Sequence, residues 1–374
     1  MGQAPKGDTY NQDGDGLPLI AGAGDFGELH PAPTKFTTAT NVRRSEAGDI
    51  VLSIRASIGS KVLADGEYGL GRGVAGLRVG PKVTSRYLWH WTTAAAPALA
   101  AKGRGATFLQ VNKQDIAEMQ VPLPPIEEQR RIAAVLDAAD ELRAKRREAL
   151  AKIDTLTQAI FIDMFGDPTS NPMAWPEVPL GELLDGIDSG KSPTCHDRPA
   201  DAGEWGVLKA GAVSFGVYDP DENKALPESV MPEPRHEVKT GDILFSRKNT
   251  HDLVAMTAFV HSTPARLLMS DLIFKLVIAD PDAVDGRFLQ AQLSVPRKRR
   301  ELQTLAAGTS GSMPNISKAK VRTVSVALPP PELQRRFATG ARNVEVAEAT
   351  SLRSRERLDD LFASLQQRAF RGEL

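Results

Sequence analysis

The sequence predicts an α+β fold built as an internal repeat: two β-rich modules separated by two long antiparallel coiled-coil helices, with a pseudo-twofold relating the halves. Three observations carry this. The stretch 126–165 contains no proline or glycine, and it recurs at 332–370 without a gap, Gln129 falling on Gln334, Arg130 on Arg335, Leu156 on Leu361 and Phe165 on Phe370. Each copy follows prolines, Pro124-Pro125 and Pro329-Pro330-Pro331, which end the preceding element and leave a helix start. Ahead of each copy lie short β-branched runs with frequent turn signals, and GDIVLSIR (48–55) answers to GDILFSRK (241–248).

In chain order, residues 1–123 form the first module, with strands expected at 17–21, 49–54, 73–79 and 118–121 and a helix at 85–101. Residues 124–168 are the first helix and its linker. A helix this long extends about 60 Å at 1.5 Å per residue. Its apolar and small residues Ile132, Val135, Ala139, Leu142, Ala149, Ile153, Leu156 and Ile160 alternate by three and four, with Arg146 at the remaining step, which is a heptad seam; Leu136 and Phe165 extend the apolar set. Residues 169–327 repeat the module, and 328–374 carry the second helix, whose seam reads Phe337, Gly340, Val344, Ala347, Ser351, Ser354, Leu358, Leu361 and Leu365, followed by Phe370. The small central residues allow close helix approach, although Gly340 costs about 1 kcal/mol of helix propensity. Gly2-Gln3-Ala4-Pro5 aligns with Gly190-Lys191-Ser192-Pro193, but residues 175–189 ahead of the second opening have no partner in the first module, so a leader strand or short helix is expected to be missing there.

Composition excludes several function classes. With 41% hydrophobic and 25% charged residues the chain suits an ordinary folded protein of two or three domains. The single cysteine, Cys195, rules out a disulfide framework or a cysteine-cluster zinc site. No apolar run approaches the roughly 20 residues needed to span a bilayer, and no signal peptide is present. Net charge is −1, so any polyanion site must be a local patch. Residues 22–27 satisfy G-x-G-x-x-G, yet His30-Pro31-Ala32-Pro33 follows where a phosphate-binding helix would have to begin. Asp25-Phe26-Gly27 has no kinase context, and residues 186–192 fall one residue short of a P-loop. The six histidines form no ligand-spaced pairs. No catalytic constellation and no metal site is assigned.

Two β-rich modules, each closed by a V-P-L-P-P or A-L-P-P-P run and a Q-R-R-bearing long helix, resemble the specificity subunit of type I restriction-modification enzymes. The resemblance rests on VPLPPIEEQRRIA with MFGDP, on ALPPPELQRRF, on the two GDI strands and on the two GQAP/GKSP openings. The family implies two target-recognition domains, each reading one half of a bipartite double-stranded DNA sequence. It implies spacer helices that set the half-site distance and dock two methyltransferase (modification) subunits, with restriction/translocase subunits joining them in the cytoplasm and no membrane involved. No cofactor is then expected in this chain, S-adenosylmethionine, ATP and Mg belonging to the partners. The helix-seam and partner residues are Ile132, Leu136, Leu142, Ile153, Leu156, Ile160, Phe165, Phe337, Val344, Leu358, Leu361, Leu365 and Phe370.

The DNA-reading candidates are polar and basic residues on loops that recur in both modules. In the first they are Gln3, Lys6, Lys35, Arg43, Arg44, Arg55, Ser57, Lys61, Arg72, Arg104, Thr107, Gln110 and Asn112. In the second they are Lys191, Thr194, His196, Lys209, Arg247, Lys248, Asn249, Thr250, Ser310, Ser312 and Asn315. Arginine can grip guanine, and asparagine or glutamine adenine, with two hydrogen bonds each, while lysine mainly meets phosphate. Arg297-Lys298-Arg299-Arg300 is a further charge cluster, readable as a phosphate clamp or a solvated face. A different class of function stays open: a coiled-coil scaffold or antirestriction decoy that binds the methyltransferase subunits without reading DNA. An enzyme reading has no residues behind it.

Overall fold

The structure, a computed structural model, describes residues 1–307 and 313–374, with Asp154 described by its backbone alone. The chain divides into two compact units, residues 1–148 with 352–374, and residues 149–351. The first unit contains strands β1 (Tyr10–Asn11), β2 (Leu17–Ile20), β3 (Phe36–Thr37), β4 (Ile50–Ser53), β5 (Lys61–Leu63), β6 (Gly69–Leu70) and β7 (Val74–Leu77). Helices α1 (Ser85–Ala100) and α2 (Lys113–Ala117) follow, then the long α3 (Ile126–Phe165). The second unit contains β8 (Glu177–Pro179), α4 (Leu180–Leu183), β9 (Leu184–Ser189), β10 (Gly206–Leu208), β11 (Asn223–Ala225), β12 (Ile243–Ser246), β13 (Thr257–Phe259), β14 (Leu267–Leu268) and β15 (Ile273–Ile278). It continues with α5 (Gly286–Ser294), α6 (Pro296–Thr304), α7 (Lys318–Arg322), β16 (Ser325–Ala327) and the long α8 (Pro331–Arg371).

The GDI runs are the central strands of corresponding sheets, β5-β4-β7 in one unit and β13-β12-β15-β9 in the other. All four side chains of β4 and of β12 are buried, which is why both read as unbroken apolar runs rather than alternating ones. Registers correspond: Ile50 faces Leu77 and Ser53 faces Val74, as Ile243 faces Leu276 and Ser246 faces Ile273. The second sheet follows the same plan, β2 running parallel to β6 and β10 parallel to β14.

Residues 118–121, expected as a strand, are not one, whereas the aligned β16 is. β16 pairs antiparallel with β8, whereas among the described residues no strand pairs with 118–121, so their backbone groups form no ladder.

Within each unit the long helices run antiparallel. The start of α3 packs Ile132, Leu136 and Ala139 against Phe362 and Ala369 near the end of α8. In the other unit the end of α3 packs Phe161 and Phe165 against Phe337 and Ala341 near the start of α8. Phe161 and Phe165 lie 5.0 to 5.8 Å from each other and from Phe288 and Phe337 in edge-on, tilted and stacked pairs, each worth about 0.5–1.5 kcal/mol beyond area burial. The seam is shifted from the expected phase. Leu142, Leu156 and Leu361 are exposed, and Arg143 takes the position expected of Leu142. Its Nε donates to Asp359 at 2.6 Å and its guanidinium lies 4.4 Å from the centre of the Phe362 ring. The part-buried ion pair and ring contact place Arg143 on the seam and leave Leu142 exposed. Ile153, Ile160, Leu358, Leu365 and Phe370 are only partly buried, while Val344 is buried.

One glutamine in each unit fixes the module to its helix. Gln129 is fully buried; its Oε1 accepts from the Thr84 amide at 2.9 Å and its Nε2 donates to the carbonyls of Lys82 and Pro124, both at 2.9 Å. Gln334 repeats this with the Asp285 amide at 2.9 Å and the carbonyls of Ala283 and Pro329 at 3.2 and 2.8 Å. Thr84 and Asp285 are the N-caps of α1 and α5, so the same side chain ties two helix starts together in both units. Nearby, Arg86 and His90 both reach Asp137, and Arg287 and His261 both reach Glu345. Burial lowers the pKa of His90 and of His261, which favours neutral rings in these contacts.

Candidate nucleic-acid interface

Each unit presents a loop built on the exit from its central strand. In the first, Val111 donates to the Ile54 carbonyl at 3.0 Å, Ala56 donates to that of Leu109 at 2.9 Å, and Arg104 and Gln110 exchange both backbone hydrogen bonds. In the second, Ile316 donates to the Arg247 carbonyl at 2.9 Å, and Ala307 and Asn315 exchange both bonds. Gln110 therefore lies beside Arg55 and Asn315 beside Lys248, at aligned positions. In the first unit Thr107, Phe108 and Gln110 stand exposed at the loop tip, and the Arg55 guanidinium lies 5.3 Å from the centre of the Phe108 ring.

The opening segments are the second shared feature. Gly2 donates to Val74 and Gln3 to Leu70, both at 2.9 Å, and Lys191 donates to Met269 at 3.3 Å. Glycine is required at both openings: a Cβ on Gly2 would sit 2.1 Å from the Gly71 carbonyl oxygen, and one on Gly190 1.8 Å from that of Met269. Gln3, Lys6, Lys191 and Thr194 project from these segments and are exposed, as are Lys35, Arg43, Ser57, Arg72, His196 and Thr250 elsewhere.

Several candidates are committed to the fold instead. Lys61 turns inward, donating to Thr92 Oγ1 at 2.8 Å over the Trp89 ring, and burial, aided by Arg86, lowers its pKa to about 7. Arg104 grips Asp115 with two hydrogen bonds of 3.0 and 3.1 Å and, ahead of the Asn112 amide, holds that carboxyl below its usual range. Asn112 Oδ1 caps α2 through the amides of Gln114 and Asp115. Asn249 is buried, donating to Ser214 at 3.0 Å and accepting from the Thr250 amide. Arg44 pairs with Glu67, Lys209 with Glu222 and Lys191 with Glu233, all at the surface, where such pairs are weak and exchangeable. Arg247 stacks over Phe274 and donates to Asn315 Oδ1 at 3.2 Å. Ser310 and Ser312 lie outside the described residues. The basic run at 297–300 is also spoken for: Arg297 pairs with Asp167, the buried Lys298 with Glu301, and Arg299 donates to the Asp252 carbonyl.

The sequence reading passed over Lys113 and Lys318, the first residues of α2 and α7. Lys318 joins Lys191, Arg235 and His236 around Gly190 in a recess of about 430 Å³. Lys113 and Arg43 are close enough to Met1 to lower the pKa of its ammonium, after burial. Both lysines follow a capping residue at aligned positions, Asn112-Lys113 and Ser317-Lys318, and that pairing is the signal that could have found them. Among the described residues no His, Cys, Asp and Glu cluster could hold a metal ion, and no helix is long and apolar enough to cross a membrane. Residues 22–27 form a short 3-10 turn closed by Asp25 on the Ala21 and Gly22 amides, with no phosphate-binding helix after it.

The α+β arrangement of small sheets and long helices is the fold of solved type I specificity subunits. It is similar to the S subunit of a type I restriction-modification system from M. genitalium (TM-score 0.57, 14% identity, 99% of this chain and 92% of that one). It is also similar to a chain from a structure concerned with complex assembly and conformational transition of the type I R-M system (TM-score 0.61, 19% identity, 98% of each chain). Residues 2–153 match the family model described as the type I restriction modification DNA specificity domain. That match takes in the first module and part of α3. Among curated relatives, it is 33% identical over 156 residues to a putative type I restriction enzyme MjaX specificity subunit of Methanocaldococcus jannaschii, and 33% identical over 168 residues to the EcoEI specificity subunit of Escherichia coli. Those matches cover 41% and 45% of this chain but only 36% and 28% of the relatives. The EcoKI specificity subunit of Escherichia coli K12 is 23% identical over 326 residues, covering 80% of this chain and 67% of that protein.

Proposed function

We propose that this chain is the DNA sequence-recognition subunit of a type I restriction-modification enzyme, catalysing nothing itself. Each β-rich module reads one half of a bipartite duplex target. The observation that carries this is the recurrence in both units of the same loop and the same glycine opening, with Arg55 and Gln110 in one and Lys248 and Asn315 in the other. These side-chain types suit base edges and phosphates. Lys113 and Lys318 add phosphate contacts.

The long helices dock two modification subunits, and restriction subunits join through them. Leu142, Leu352 and Leu361 in one unit, and Leu156, Ile162 and Val346 in the other, are apolar and exposed on α3 and α8, which supports a protein-covered surface there. S-adenosylmethionine, ATP and Mg act in the partner subunits, within the cytoplasm. The test is duplex selection from a random library with the chain and its modification subunits. Enrichment of one split motif, with affinity falling steeply as salt rises, supports the reading. Assembly without any sequence preference would make the chain a scaffold or decoy.

A further inference from the structure

The residues that precede Gln110 and Asn315 are apolar in both units, Phe108-Leu109 in the first and Met313-Pro314 at the aligned positions of the second. Phe108 is 55% exposed, Leu109 49% and Met313 42%, although the core at the foot of the first loop, with Ile54 and Val111 fully buried, offers apolar neighbours. One exposed apolar side chain is ordinary. The same exposure at the same place in two repeats, each time beside a polar residue suited to base edges, calls for a physical reason.

The backbone holds these side chains out. The paired hydrogen bonds of Arg104 and Gln110 close the first loop, and the Leu109 carbonyl is held by the Ala56 amide. Gly105, at φ +137°, brings the chain back beneath the tip, where a Cβ would lie 2.4 Å from the Phe108 carbonyl oxygen. The Arg55 guanidinium, 5.3 Å from the centre of the Phe108 ring, restrains the ring while more than half of it stays exposed. In the second unit Asn315 is paired with Ala307, and Asn249 donates to the Pro314 carbonyl at 3.4 Å. A side chain ordered in advance has less entropy to lose when it meets a partner.

We propose that Phe108 and Met313 are wedges: each enters the duplex at one base step of its half-site, unstacks that step and bends the DNA, while Arg55 with Gln110, or Lys248 with Asn315, holds the neighbouring bases and phosphates. The inference rests on the DNA-recognition reading above. Charge favours a polyanion as the occupant, since residues 102–113 carry Lys102, Arg104 and Lys113, residues 308–318 carry Lys318, and neither stretch contains an aspartate or glutamate. Size favours it as well. A protein interface takes about 20–30 residues a side, far more than either tip provides, whereas a base step is opened by a single apolar side chain, Phe and Met among them. Pyrimidine–purine steps unstack most readily, so a wedge adds sequence preference at a position where the protein makes no hydrogen bond to a base.

The test uses the full chain with its modification subunits and, as probes, duplexes of the motif selected from the random library, each carrying one 2-aminopurine in place of a base outside the methylated positions. Its fluorescence reports loss of stacking. The parent brightens the probe at one step in each half-site. Phe108→Ala removes that signal from one half-site only and Met313→Ala from the other, and Phe108→Ala weakens binding about tenfold, the worth of one lost stack on a base. Phe108→Leu, which keeps an apolar wedge, retains the signal. Bound duplex that stays stacked at every probed step in the parent, or a signal that survives Phe108→Ala and Met313→Ala, overturns the proposal and leaves DNA recognition standing. Phe108→Ala that leaves duplex binding and stacking unchanged but weakens assembly with the modification subunits also overturns it and assigns the tip to a protein contact. A parent complex that prefers no duplex removes the recognition reading itself, and the wedges with it.

Discussion

Replacing Gln129 by leucine removes one acceptor and two donated hydrogen bonds from a fully buried site, while leaving the backbone groups they served in place. The Thr84 amide loses its acceptor, and the carbonyls of Lys82 and Pro124 lose a shared donor. A buried group left unpaired costs about 1–3 kcal/mol, and carbonyls tolerate it better than amides, so the sum is about 3 kcal/mol. For a unit of this size each kcal/mol lowers Tm by about 2–4 °C, which gives a drop of about 6–12 °C. Differential scanning calorimetry measures it. Gln334→Leu should destabilise the other unit comparably through Asp285, Ala283 and Pro329. Melting of both variants within about 1 °C of the parent, well under the shift expected for one lost buried hydrogen bond, would refute the anchoring role.

The remaining predictions address pH, phosphate contacts and spacing. Lys61 has a folded pKa of about 7, below the 10.5 of a free lysine. The unfolded chain therefore binds more protons between these values, and stability of the first unit should rise with pH from about 7 to 9; Lys61→Met should flatten that rise in denaturant titrations, and an unchanged slope would contradict it. Lys113→Ala and Lys318→Ala should each weaken duplex binding across all sequences and reduce the salt slope by about one, measured by fluorescence anisotropy; a change in sequence preference instead would place them at bases. Inserting seven residues into α3 after Glu148 and seven into α8 after Ser351 preserves the seam and adds about 10.5 Å of helix. The recognised motif should then gain about three unspecified base pairs while both half-sites stay the same; an unaltered spacer, read by methylome sequencing, would show that the helices do not set it. A four-residue insertion between Phe161 and Phe165 is a poorer choice, because it would split the aromatic cluster.

The repeat made the fold legible. Aligned apolar runs identified β4 and β12, and uninterrupted stretches after prolines identified α3 and α8. The seam phase was not legible, because heptad spacing cannot show that Arg143 prefers Asp359 and the Phe362 face to solvent. Strand character at 118–121 was misread for a related reason: local pattern says nothing of whether a partner strand exists. Gln129 and Gln334 were visible as alignment markers, but their role depends on Thr84 and Asp285 arriving beside them through tertiary packing. Among the candidate residues, the sequence grouped polar loops by repeat position yet could not separate Gln110, exposed at a tip, from Asn112, used as a cap, or Arg55 from Lys61, which turns inward.

The central claim is that each module independently specifies half of one split DNA target. The most direct measurement is methylome sequencing of cells that express the chain with its modification subunits, compared with a chimaera whose residues 169–327 come from another specificity subunit. The account predicts a bipartite methylated motif in the parent and replacement of one half only in the chimaera, with the other half unchanged. An undivided motif, or a chimaera in which both halves change together, would contradict it.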